Sequence, residues 1–545
     1  MEITEREILE YFNFIWTEAD SYFNSRVKPD WDENYRLYTD AYEFQNKLRW
    51  QARIKDPIAD NLVTRMANFL TRILISVEGD YFDILHNDKA RAQGYKDLVG
   101  TILNDNNFPV IFNETLKHAL VTSIYVNKVS YTYSLECFPL YNTDTKEFST
   151  QEKTVGRVRI DRVSPWDIRL DPAGDSYIIE IKELDIADFR QLAIANRWMN
   201  TDRVLMQTLS PVMPSDSSKP ALYRPKITLY YVYTKALTNK SGKILDDNVH
   251  FIVANKQHVI WYEKNLLPNG RFPYVVGQPL KSLVGRYGRS YLSKLKSVIM
   301  SYLESLNLIL DSFQLATLGT FEYDVSAVVT DASHTFTARV EPGRFYPVNR
   351  PNSIRQIFNA NIPAISLQML FYLDRVIQNR SFQTEFLQGM PTVKGRPTAS
   401  EISIKTQESS NFFTDIASEI ERNIITPLIE LVLATELIYM DDEFHVELLG
   451  NIKSLESFNL VKSLPFNDRI ADYRESKITA KGLSGKILKS SNLNKLLQIV
   501  SVLGNMPQLL QALDSRKFLT ELFYMFDMMP DELFNLEALT PEERR

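Results

Sequence analysis

GRYGRSYLSKLKSVIMSYLESLNLILDSFQLATL, residues 285–318, decides how the rest of the chain is read. After Gly285-Arg286-Tyr287-Gly288-Arg289, the residues Leu292, Leu295, Ile299, Tyr302, Leu306, Ile309 and Phe313 follow at alternating spacings of three and four. That is an apolar stripe of heptad type, held for about three heptads. A helix from Ser290 to Leu318 would be roughly 43 Å long at about 1.5 Å per residue. Gly319 ends it. Such a stripe is more often the core seam of one chain than a seam between chains.

Phe321 to Asn352 then loses the helical period and carries the β-type residues Val325, Val328, Val329, Phe336, Val340, Phe345 and Tyr346. A turn at Glu341-Pro342-Gly343-Arg344 and the prolines Pro347 and Pro351 interrupt it. A second helix is expected from Pro363, because proline suits a first turn whose amides have no partner. Its expected apolar face is Ile365, Met369, Tyr372 and Val376. A glycine-rich loop covers 387–397. Thr398-Ala399-Ser400-Glu401 is then a capping box, in which the Thr398 hydroxyl would take the Glu401 amide and the Glu401 carboxylate would reach back to the Thr398 amide. The helix it opens runs polar to Asn411, turns apolar at Phe413, Ile416, Ile420 and Ile424, and should kink near Asn423 because of Pro427.

The composition bounds the class. The 545 residues exceed one typical domain. An apolar share of 44% with 24% charged residues describes a soluble globular protein. The single cysteine, Cys137, excludes an intramolecular disulfide. The acidic start lacks the apolar core of a signal peptide. The best apolar window, Ile424 to Met440, holds Glu430 and Glu436, so no membrane span is expected. A net charge of −6 excludes a protein that grips nucleic acid by neutralising phosphates; an ordinary acidic protein and a conduit through which a polyanion slides explain it equally well, so charge does not decide between them.

Upstream of the long helix, residues 1–135 read as mainly helical, densest from Tyr42 to Glu78, with a break at Asp56-Pro57. Further helices are expected at Lys96 to Leu103 and Pro109 to Val126. Alternation then marks strands at Val129 to Tyr133, Val155 to Val163 and Tyr177 to Lys182, with a helix from Ile186 to Met199 and a proline-rich loop from Leu209 to Pro225. Lys226 to Thr234, His250 to Ala254 and Val259 to Tyr262 form a meander. Downstream, a strand is expected at Phe444 to Leu449, and helices from Asn467 onward. The fold class is therefore α+β, mainly helical.

The catalytic pattern worth weighing is Asp171 with Glu180-Ile181-Lys182, which resembles the acidic pair and lysine of a metal-dependent nuclease. The simpler reading is a turn at Asp171-Pro172 and a half-buried strand with its charges outward. Ser241-Gly242-Lys243 and Ser484-Gly485-Lys486 lack the upstream glycine and the following Ser or Thr of a phosphate loop. Six histidines are scattered, with His250 and His258 flanking one hairpin, and further metal ligands are not evident. No cofactor or metal is expected.

The ordered set of Gly288-Arg289-Ser290-Tyr291 opening a long helix, Pro342-Gly343-Arg344 closing a β excursion, and Thr398-Ala399-Ser400-Glu401-Ile402 opening another helix resembles the portal, or head–tail connector, proteins of tailed bacteriophages. The short-tailed phages give the nearest likeness, over roughly residues 45–530. The resemblance implies a wing at 1–287, stem helices at 288–320 and 353–386, a clip at 321–352, a tunnel loop at 387–397, a wing-crossing helix and return strand at 398–455, and a helical crown at 456–545. It implies a non-enzymatic ring, a dodecamer, at one capsid vertex of the virion, assembled in the host cytoplasm. Its partners would be the major capsid protein, the terminase, tail adaptor proteins and double-stranded DNA. Glu341, Pro342, Gly343 and Arg344 would meet terminase and adaptor. Gln388, Gly389, Lys394, Gly395 and Arg396, followed by the cap residues Thr398 and Glu401, would form a constriction that touches DNA. Taken alone, that loop reads as a solvated connection. Lys294 and Lys296 would line a channel or solvate an exposed helix face.

Overall fold

The computed structural model describes residues 3–75, 82–142, 147–209, 225–282, 285–318, 320–323, 354–358, 364–381, 415–440, 461 and 463–480. It is a mixed helix and sheet protein. Helix α1 (Glu5–Tyr22) opens on a capping box: the Thr4 amide donates to the Glu7 carboxylate at 3.0 Å, and the Glu7 amide donates to the Thr4 hydroxyl at 3.4 Å. A π turn, Phe23–Val27, leads into α2 (Lys28–Tyr38). Strand β1 (Phe82–Leu85) comes after α3 (Ile58–Leu74) and before α4 (Lys89–Asp105) and α5 (Phe108–Thr122).

Two sheets follow. Strands β2 (Tyr125–Asn142) and β3 (Glu147–Arg162) form a long antiparallel hairpin, and β9 (Tyr274–Gly277) pairs with its base, opposite Tyr125 to Lys128. The larger sheet is an antiparallel row of β4 (Ile168–Leu170), β5 (Tyr177–Asp185), β6 (Lys226–Thr238), β7 (Ile244–Ala254) and β8 (His258–Lys264). Alternation along β7 places Phe251 and Val253 beneath α1, and Ile252 and Ala254 beneath α6 (Ile186–Ala195) and α7 (Thr201–Leu209). The sheet is thus covered on both faces. The helix expected from Ile186 to Met199 is present but ends at Ala195, and α7 is a separate helix beyond it, with Arg197 and Asn200 at positive φ in the turn between them. The strand at Tyr274 leaves the meander and joins the smaller sheet.

Helix α8 (Tyr291–Leu318) runs close to the expected bounds. Strands β10 (Thr320–Tyr323) and β11 (Ile354–Phe358) pair antiparallel and close the excursion between α8 and α9 (Ala364–Ser381). Residues 415–420 are helical and pass through a π turn, Glu421–Ile425, into α10 (Thr426–Tyr439). The π turn stands where Pro427 was expected to kink the helix. Gly277 is required where β9 crosses the turn, since a Cβ there would lie 2.4 Å from Ile424 Cγ1 and 3.1 Å from the Asn423 carbonyl oxygen. Helix α11 (Phe466–Glu475) gives way to β12 (Lys477–Ala480), which pairs with β1, so the helix expected onward from Asn467 is cut short. Among the described residues, no helix is long and apolar enough to cross a membrane.

The dense stretch from Tyr42 corrects another expectation. Residues 41–57 are not helical, and helix begins only at Ile58, after the Asp56-Pro57 break. Their backbone is claimed by polar side chains of α8. The Ile54 amide donates to Asn307 Oδ1 at 2.7 Å, Asn307 Nδ2 donates to the Ile54 carbonyl at 2.9 Å, and the Ala52 amide donates to Asp311. Asn307 is fully buried. Replacing Asn307 with Leu orphans both groups of Ile54 and should cost about 1–3 kcal/mol. The check is a lowered urea midpoint at unchanged slope.

Candidate functional site

The α8–α9 pair is the candidate site. The helices run antiparallel, with the Tyr291 hydroxyl at the start of α8 donating to the Ser381 carbonyl at the end of α9, at 3.1 Å. Leu292, Leu295, Ile299 and Leu303 of α8 are buried, together with Leu373 and Ile377 of α9. Three of the four residues expected to form the apolar side of α9 face outward, Ile365 at 70% exposed, Met369 at 50% and Tyr372 at 61%, while Val376 packs partly buried against the core. Phe371 and Leu367 are exposed beside them, and Leu308 and Phe313 are exposed on the distal half of α8. The expectation failed because α9 is apolar on nearly every side, so spacing alone does not select the inward one. A run of large apolar groups of this kind is uncommon on a protein that stays single.

Charge anchors the base of the pair. Lys296 Nζ lies 2.9 Å from Asp30 Oδ1 and 2.6 Å from Glu33 Oε2 on α2. Ser293 Oγ donates to Asp30 at 2.6 Å, and Asn34 Nδ2 donates to Ser293 at 2.8 Å. Burial pushes the Asp30 carboxyl up, but the bonds from Ser293 and Lys296 outweigh it and hold it below its ordinary range. Lys296 is therefore a tether to α2, whereas Lys294 is exposed. Glu341, Pro342, Gly343, Arg344, Gln388, Gly389, Lys394, Gly395, Arg396, Thr398 and Glu401 lie outside the described residues.

Asp171, Glu180 and Lys182 do not share a site. The Asp171 carboxylate accepts the amides of Ala173 and Ser176, at 2.9 and 3.0 Å, as a turn cap. Burial raises its pKa, but the amides of Ser176, Ala173 and Gly174 hold it below the usual value. Glu180 Oε2 instead takes Lys128 Nζ at 2.5 Å and the Tyr274 hydroxyl at 2.6 Å, joining the two sheets. Lys128 also lies over the rings of Tyr231 and Tyr274. Lys182 is exposed. Among the described residues, no group of three His, Cys, Asp or Glu could hold a metal ion. The sequence shows Glu180 but not its partner, since Lys128 is 52 residues away.

His250 and His258 do not meet. In the β7–β8 register His250 faces Glu263, while His258 faces Ala254. The His250 ring stacks on Tyr233 with centroids 4.0 Å apart, and its Nδ1 lies 3.2 Å from Glu263. Burial holds this imidazole below its ordinary value despite Glu263, and burial does the same to His118.

No family model matches the chain, and a search of curated proteins gives no match either.

Two measurements test the sheet junction. Glu180→Ala strands the Lys128 ammonium among tyrosine rings and should lower stability by roughly 3–5 kcal/mol, read by denaturant titration. For His250 the folded pKa lies below the unfolded one. Stability is therefore complete above about pH 6.5 and falls as pH drops, because the unfolded chain then binds the extra proton. The stability-against-pH slope just below about pH 6.5 should be shallower in His250→Phe, which keeps the stack on Tyr233 and removes the proton.

Proposed function

We propose that the chain is a portal-type protein: a subunit of a closed ring at one capsid vertex that passes double-stranded DNA during packaging and ejection. The observation that carries this reading is the α8–α9 pair, two long antiparallel helices held to the body at one end, with large apolar side chains exposed on α9 and on the distal half of α8. In a ring, each subunit presents one surface to the next and receives a different one, and such heterologous contacts close when the rotation per subunit divides the circle. The exposed Ile365, Met369, Phe371 and Tyr372 supply the apolar part of that contact.

Support also comes from the order of elements. A sheet-bearing body precedes α8, an antiparallel β10–β11 pair closes the excursion, and the chain returns through α9 to the buried helix α10. In this reading α8 and α9 form the stem, the segment between β10 and β11 the clip, and the two sheets belong to the wing. The protein works mechanically and makes no bond. Terminase would seat on the clip, tail adaptors would later replace it, and the capsid protein would grip the outside. The basic, glycine-bearing loop at 387–397 would touch phosphate in passing.

Negative-stain images of the purified chain should contain rings with a central opening, with twelve subunits expected, and light scattering should give a matching mass. A chain that stays a monomer or dimer at every concentration would overturn the proposal. The paired change Ile365→Ser with Phe371→Ser should abolish rings yet leave the monomer's unfolding midpoint within about 0.5 kcal/mol of the parent, because both side chains are largely in water already. Removing residues 388–395 should leave ring assembly intact and impair packaging or retention of DNA. Normal packaging by that variant would refute the loop's role.

A further inference from the structure

A cavity of about 280 Å³ lies between α2, α5, the end of β3 and the single turn Pro165–Asp167. It shares no residue with the α8–α9 pair or with the Glu180 junction. Its lining is partly aromatic and partly charged.

Trp166 is the fixed wall. Its Nε1 donates to Asp32 Oδ1 at 3.1 Å, and the buried Trp31 ring meets it edge-on with centroids 5.8 Å apart. The Tyr35 ring lies 5.3 Å from Trp166 at 73°, and the His118 ring lies 6.3 Å from it at 81°. Rings that meet edge to face do not cover all of one another's faces, and a flat ligand stacks on faces. Tyr35 is 47% exposed. Burial and the nearby Arg162 hold the His118 imidazole below its ordinary value, so at neutral pH it presents an uncharged ring. Its Nδ1 is shut off from water and has no hydrogen-bond partner among the described residues. Buried polar atoms of folded chains nearly always have one, so this wall has a contact to spare.

The polar part of the lining carries two cations and one anion. Arg162 Nη1 lies 3.3 Å from Glu114 Oε2, and that pair is balanced. Lys117, on the same helix as Glu114, makes no ion pair among the described residues. One positive charge is therefore left over. Beside apolar rings it is screened less than it would be on open surface. The volume stands at the lower edge of ligand sites, which run from about 300 to 1,000 Å³. That leaves room for two fused rings and a short polar group, but not for a length of peptide chain.

We propose that this cavity binds a small planar aromatic carboxylate, its rings against Trp166 and Tyr35 and its carboxylate paired with Lys117. The site is independent of the ring reading, and neither stands or falls with the other.

Calorimetric titration of the full chain with 2-naphthoate tests it. One molecule should bind per chain with a Kd below about 1 mM. The neutral 2-naphthylmethanol and the cationic 2-naphthylmethylamine should each bind at least about fivefold more weakly. Lys117→Met should weaken 2-naphthoate by about fivefold and leave 2-naphthylmethanol unchanged. Glu114→Gln should do the reverse and tighten 2-naphthoate by about threefold, because it leaves Arg162 unpaired beside the cavity. A damaged fold cannot produce that gain. Tyr35→Ala should weaken 2-naphthoate and 2-naphthylmethanol alike. All three side chains are partly in water, so the variants should keep the parent's unfolding midpoint. A tripeptide ending in tryptophan carries the same chemistry at a chain end and should bind more weakly for want of room. Tighter binding of the tripeptide would overturn the assignment to a small molecule. Failure of 2-naphthoate to bind, equal affinity for the three naphthyl probes, or binding that Lys117→Met and Glu114→Gln both leave unchanged would overturn the site.

Discussion

Leu292, Leu295, Ile299 and Leu303 leave water together, and α2, α3, α5 and α9 are all arranged around that event. Each such side chain contributes about 1.5–3 kcal/mol on burial. The row then continues down the same side as Asn307 and Asp311, at intervals of four. A straight helix with about 3.6 residues per turn drifts from a heptad stripe by about 20° per heptad. The drift carries Phe313 outward and brings Asn307 inward. Apolar burial therefore fixes the first half of α8, and hydrogen bonds to an extended segment fix the second.

This division explains how much of the fold the sequence disclosed. Strands of the two sheets were legible because each has one face against a core and one against water or another layer, so alternation survives. The bounds of α8 were legible because glycines flank it. Segment 41–57 was misread because its apolar residues suit a helix, while its conformation is set by Asn307 and Asp311, more than 250 positions later. Helix α9 was misjudged for a different reason. Apolar residues occur on nearly all its sides, and periodicity cannot rank sides that look alike. The capping box at Thr4 and Glu7 has the same Thr-x-x-Glu sequence pattern as Thr398-Ala399-Ser400-Glu401, and was available to the same reasoning.

The candidate site was legible only in outline. That two long helices flank a β excursion could be read from spacing and breakers. That large apolar groups on α9 and the distal half of α8 stay exposed could not, since exposure depends on what the body already covers. Glu180 illustrates the limit. As part of an alternating strand it reads as an outward charge, yet it sits beneath Lys128 and Tyr274 where two sheets meet. Asp171 looks like a ligand in isolation and is a turn cap in context.

The π turn at Glu421–Ile425 has a consequence for how this core can change. Its Thr426 amide reaches back five residues, to Glu421, so the turn accommodates one residue more than a regular helix would. Each residue of a helix advances the azimuth by about 100°. Helix α10 is buried on almost every side, so solvent gives it no preferred orientation. Its rotational phase is thus inherited from a single inserted position, much as a key's teeth are indexed by its shoulder. Loss of one residue there would re-aim all the side chains beyond it at once, with overall hydrophobicity almost untouched.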